Sequence, residues 1–177
     1  MPVTLPSVGT DIQALTHAAD VPLQVNVLGA VTLDFKGGWW VRAVRQLAAG
    51  RGVGLQLMAF DLRAASPVLG EVTLTMPTDG KVPEGTVEVV AGTPSRYRHT
   101  LPLPVVVTIE KPPGGGPPLE LAGTVPGKLL CDGMADFPPR GNVYQLQKPV
   151  DLAPPAAPLE VVAKLMQLPL TTSVEQS

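Results

Sequence analysis

Charge is scarce in this chain. Only 16% of its 177 residues are charged, and the formal net charge is -2. No basic tract is present, so the electrostatic footprint of nucleic-acid binding is missing. Histidine occurs twice and cysteine once, at Cys131. A single cysteine cannot form an intrachain disulfide and suits a reducing compartment. Two Trp, two Tyr and three Phe are few for a surface that stacks on sugar rings, which argues against carbohydrate binding. The longest apolar run, Leu101–Ile109, is far short of the roughly 20 residues of a membrane-spanning helix, and two prolines interrupt it. No basic stretch followed by an apolar one opens the chain, so no signal peptide is expected. These absences point to a cytoplasmic protein with no nucleic-acid and no membrane partner.

Chemical signatures are missing as well. There is no G-x-x-x-x-G-K-[ST], no G-x-G-x-x-G after a strand, no G-x-S-x-G and no H-E-x-x-H. That argues against nucleotide-dependent enzymes, zinc hydrolases and α/β-hydrolases. We expect no cofactor and no metal. Asp132 and Asp136 do not have calcium-loop spacing.

What the chain does have is punctuation. Twenty-one prolines and eighteen glycines separate short runs rich in valine and leucine, most of which alternate with polar residues. Leu69–Met76 alternates cleanly, with Val72, Leu74 and Met76 on one side and Glu71, Thr73 and Thr75 on the other. Such spacing predicts an all-β fold: an antiparallel β-barrel or two-sheet β-sandwich of about nine or ten strands. Only Thr10–Ala19 reads as helical, with Thr10 as cap and Ile12, Leu15 and Ala19 on one face. We therefore expect an N-terminal arm over residues 1–20 containing one short helix. The length suits a single domain spanning 1–177, large enough to bury a core without disulfides or metal. Two proline-rich segments stand out. Residues 111–118 read as an exposed hairpin tip, and residues 153–158 as a stiff connector to the last strand. Low charge and a positive mean hydropathy suggest covered apolar surface, hence a homo-oligomer.

Candidate site residues follow from strand parity. Tyr97 and His99 share a face with Leu101, Leu103, Val105, Val107 and Ile109, while Arg96 and Arg98 lie on the other. An imidazole and a phenol at one end of an apolar stripe can orient a ligand or exchange protons near neutral pH. The plainer alternative is a strand end where both side chains reach water. Pro102 and Pro104 share a parity too, so this strand should be a local edge or leave its sheet there. Asp61 follows Val53, Leu55, Leu57 and Ala59 on one parity, with Arg63 next. It is a third catalytic candidate, or half of a structural ion pair. Trp40 and Arg42 share a face and could hold a ring or an anion, or pack on each other. Cys131 has no histidine or lysine as its immediate neighbour in sequence, so an inert buried thiol is expected.

In size and strand pattern the chain resembles small β-barrel proteins that bind or cyclise apolar metabolites, of the lipocalin and allene-oxide-cyclase kind. The resemblance is one of architecture and no motif carries it. The function expected is binding of a small, largely hydrophobic molecule in an apolar cavity, with cofactor-free isomerisation or cyclisation as a possible extension. The alternative is a non-enzymatic, self-assembling structural β-module.

Overall fold

A computed structural model describes residues 5–77, 82–91, 96–135, 137 and 141–173. Asp136, named above, lies outside them. The chain is all-β. Three long strands come first: β1 (Asp11–Val25), β2 (Gly29–Gln46) and β3 (Gly52–Ser66). Ten shorter ones follow: β4 (Gly70–Thr75), β5 (Gly85–Val90), β6 (Arg96–Leu103), β7 (Val106–Ile109), β8 (Leu119–Gly123), β9 (Gly127–Met134), β10 (Val143–Leu146), β11 (Val150–Ala153), β12 (Ala163–Leu165) and β13 (Leu170–Ser173).

The ladders close two antiparallel rings that share the three long strands. The first barrel runs β1-β2-β3-β4-β7-β8-β11-β12 and closes through Leu23 opposite Leu165. The second runs β1-β2-β3-β5-β6-β9-β10-β13 and closes through Thr16 opposite Thr172. Each barrel uses one end of the shared strands. On β3, residues 52–55 pair with β5, while residues 61–66 pair with β4. The long strands carry bulges midway. One lies on β1 between Ala18 and Val21, where Asp20 adopts φ 54°; another lies on β3 opposite Trp40 and Val41. A bulge inserts one residue and keeps the same face inward on both sides of it. Hence Ala18 and Val21, and likewise Leu57 and Phe60, are all buried. At this waist Gly37 is needed for close approach, since a Cβ there would run into the Asp61 carbonyl.

From β4 onward the chain crosses from one barrel to the other five times, after β4, β6, β8, β10 and β12. Every crossing contains proline: Pro77 and Pro83, Pro104, Pro126, Pro149 and Pro169. Proline has no N–H to give the next ladder rung, so pairing ends and the strand peels away. β6 shows this directly. Its ladder to β5 stops at Thr100, its ladder to β9 continues to Leu103, and the chain then enters the first barrel as β7.

The expected N-terminal helix is not formed: residues 11–25 are strand β1. Its burial alternates with period two, with Ile12, Ala14, Thr16 and Ala18 inside and Asp11, Gln13, Leu15 and His17 outside. Ala-rich local propensity lost to pairing along both edges of the strand. A helix of ten residues is marginal in isolation and had no packing partner to keep it. Among the described residues the strand count also rises to thirteen. The stripe from Tyr97 to Ile109 splits at Pro104 between the two barrels, and β12 and β13 are likewise separated at Pro169. Among the described residues no helix is long and apolar enough to cross a membrane.

Candidate functional site

The second barrel holds the polar–aromatic centre. On β6 the inward residues are Tyr97, His99, Leu101 and Leu103, as their parity dictates. His99 lies opposite Cys131 on β9, and the pairing of β9 with β10 brings Tyr144 alongside. His99 Nδ1 and Tyr144 Oη are 2.5 Å apart, both wholly buried. Trp39 from β2 and Phe137 meet the imidazole edge-on, with ring centroids at 5.8 and 5.1 Å. Burial holds the His99 pKa down at about 3, so the imidazole is neutral at physiological pH. Burial likewise pushes Tyr144 well above the usual phenol range. Cys131 is driven up to about 11 by burial and then by the Asp132 carboxylate, which leaves it an unreactive thiol. Such groups hydrogen-bond well but transfer protons poorly near neutral pH. Three buried polar atoms in this barrel have no hydrogen-bond partner among the described residues: His99 Nε2, Trp39 Nε1 and Thr16 Oγ1.

The other sequence candidates lie outside the barrels. Trp40 and Arg42 share the outer face of β2, the guanidinium 5.4 Å from the ring centroid. Arg42 Nε also donates to Asp11 Oδ1 at 2.6 Å, which holds the Asp11 carboxyl below its usual range. This surface group does not meet Tyr97 or His99. Asp61 is exposed and ion-paired with Arg63 at 3.3 Å. Its parity with Val53–Ala59 does not survive the bulge on β3, which turns Phe60, Leu62 and Ala64 inward and sends Asp61 out. Asp61 and Trp40 border an outer groove of about 300 Å³ at the waist, with Gln13 and Leu15.

The larger cavity lies at one end of the first barrel. It measures about 420 Å³ and is lined by Val25, Ile109, Leu119, Leu121 and Val162, among others. Val25, Ile109 and Leu121 belong to the buried core, so the cavity continues the barrel interior. Three connections form its mouth: the β1–β2 turn, the β7–β8 tip at Pro113-Gly114, and the segment after β11 that includes Pro154. Asn26 ties the mouth together. Its amide N–H donates to the Val162 carbonyl and its Nδ2 to the Val161 carbonyl, both at 2.9 Å. Val27, Leu28, Leu159 and Val161 are exposed aliphatics of these same connections. Neither cavity touches Tyr97 or His99. The sequence reading missed this mouth. The available signal was the pair of proline-rich segments, taken only as a tip and a connector.

No model of a known protein family matches the chain, and no curated protein matches it. The chain is similar to a solved structure, DynF from the dynemicin biosynthesis pathway of Micromonospora chersina, at 19% identity and a TM-score of 0.83. The match covers 100% of this chain and 87% of that one. At this identity the likeness establishes a shared fold.

Proposed function

We propose that the protein binds a small, largely hydrophobic molecule at the open end of the first barrel. The observation that carries this reading is the apolar cavity of about 420 Å³ at this mouth, lined in part by the core side chains Val25, Ile109 and Leu121. Its volume lies in the range of small-molecule sites, roughly 300–1,000 Å³, and its walls are aliphatic. A fold shared with a protein of the dynemicin biosynthesis pathway supports a small-molecule task. Isomerisation or cyclisation would need acid–base groups against the ligand. Among the described residues that line the cavity Asn26 is the one polar side chain, so the proposal is binding without chemistry. A cytoplasmic setting rests on the one free, buried cysteine.

The test is a fluorescence titration with N-phenyl-1-naphthylamine, a neutral apolar probe. Leu119→Trp and Val162→Trp fill the cavity from half-buried rim positions, where the fold tolerates bulk. Each should weaken probe binding at least tenfold. Unchanged affinity in both variants would refute the site.

A second reading is self-association. Val27 and Leu159 are almost fully exposed and Leu28 and Val161 partly so, which favours a copy of the chain covering this rim. Light scattering at micromolar concentration should then exceed the monomer mass of 18.5 kDa; a value at that mass would refute it.

A further inference from the structure

We propose that the interior of the second barrel is a separate binding site, for a small unsaturated molecule carrying a neutral carbonyl oxygen. The inference is independent of the first barrel. It starts from the three unpartnered polar atoms of His99, Trp39 and Thr16. A buried polar atom left unpaired costs roughly 1–3 kcal/mol, so three in one interior call for an occupant. The indole N–H of Trp39 can only donate. At His99 the phenol of Tyr144 is the stronger donor, so it donates to Nδ1 and the neutral imidazole carries its proton on Nε2. Two N–H donors and a hydroxyl therefore have no acceptor. An oxygen with two lone pairs, a carbonyl, answers the two N–H donors of the adjoining Trp39 and His99 rings, whose centroids lie 5.8 Å apart.

The same interior selects against a carboxylate. The buried polar side chains are Thr16, His99 and Thr172, with no lysine or arginine among the described buried residues. An anion there would be desolvated without a countercharge. The surroundings are aromatic: Trp39, Tyr144 and Phe137 stand edge-on around the imidazole. A flat unsaturated molecule stacks well against such walls. Phe137 is half-exposed while touching His99, so its ring separates the site from solvent.

Two probes of nearly equal size decide the matter: acetophenone, which has the carbonyl, and isopropylbenzene, which lacks it. The readout is the Trp39 indole N–H and the His99 ring-nitrogen NMR signals, with Trp40→Phe to assign the indoles. Acetophenone should shift both signals saturably, at least tenfold more tightly than isopropylbenzene shifts either, because a site built to hydrogen-bond rejects the analogue that cannot. Phe137→Ala, which opens the path to solvent, should let acetophenone reach the same two signals faster, and Leu119→Trp in the first barrel should leave these shifts unchanged. If neither the wild type nor Phe137→Ala responds, or if both probes act alike, the polar atoms serve water or packing and the proposal is overturned.

Discussion

Replacing Tyr144 by Phe removes one oxygen from the second barrel and leaves His99 Nδ1 without its partner. The lost hydrogen bond is worth about 1 kcal/mol net, and an unpaired ring nitrogen at a fully buried site adds roughly 1–2 kcal/mol more. Tyr144→Phe should therefore cost about 2–3 kcal/mol, or roughly 5–10 °C in Tm for a chain of this size. His99→Phe leaves the Tyr144 hydroxyl stranded but also removes the unpaired Nε2, so it should cost less than Tyr144→Phe. The double variant strands neither, so it should be more stable than the sum of the singles by about 1–2 kcal/mol. Urea unfolding followed by far-ultraviolet circular dichroism measures all three. A Tyr144→Phe protein within about 0.5 kcal/mol of wild type, or strict additivity, would refute the buried hydrogen bond as described.

Acid should expose the same histidine. Its folded pKa of about 3 lies below the ordinary imidazole value of 6.5, so below pH 6.5 the unfolded chain takes up a proton that the folded one refuses. Stability is full above that pH and falls on acidification by up to roughly 1.4 kcal/mol per pH unit, a slope that His99→Phe should remove between about pH 4.5 and 6.5. Asp11 and Asp132, held low by hydrogen bonds from Arg42 and Arg98, add their losses only at lower pH. Val27 is a β-branched residue at φ 77° with a fully exposed side chain, so Val27→Gly should raise stability by about 1 kcal/mol in thermal unfolding; a loss would mean that the side chain packs. Exchanging the exposed tip 111–118 for a two-residue Asn-Gly turn should change stability by less than about 1 kcal/mol yet weaken N-phenyl-1-naphthylamine binding, because Pro113 and Gly114 line the mouth. Unaltered binding would detach the tip from the site.

Much of the architecture could be read from residue order. The alternation of Leu69–Met76 is strand β4, and the parity that puts Tyr97 and His99 inward holds along β6. Pro102 and Pro104 mark the place where the chain leaves one ring for the other. The rest depended on pairings that no local window contains. Strand β1 looked helical because its alanines are neutral to the period, and only the ladders to β2, β12 and β13 fix it. Asp61 was misplaced by a bulge, a one-residue insertion that silently reverses parity. His99 was found without Tyr144 and Trp39, which reach it from two other strands. The mouth of the first barrel was hidden for the same reason: Val25, Ile109, Leu121 and Val162 are far apart in sequence.

The central claim is that the end of the first barrel is a small-molecule site. Methyl-detected nuclear Overhauser spectroscopy with N-phenyl-1-naphthylamine tests it most directly, on protein labelled at Ile, Leu and Val methyls. Cross-peaks from the probe to Ile109, Leu119, Leu121 and Val162 are the predicted result. Cross-peaks confined to other methyls, such as Leu15 in the outer groove, or none at saturating probe, would contradict it.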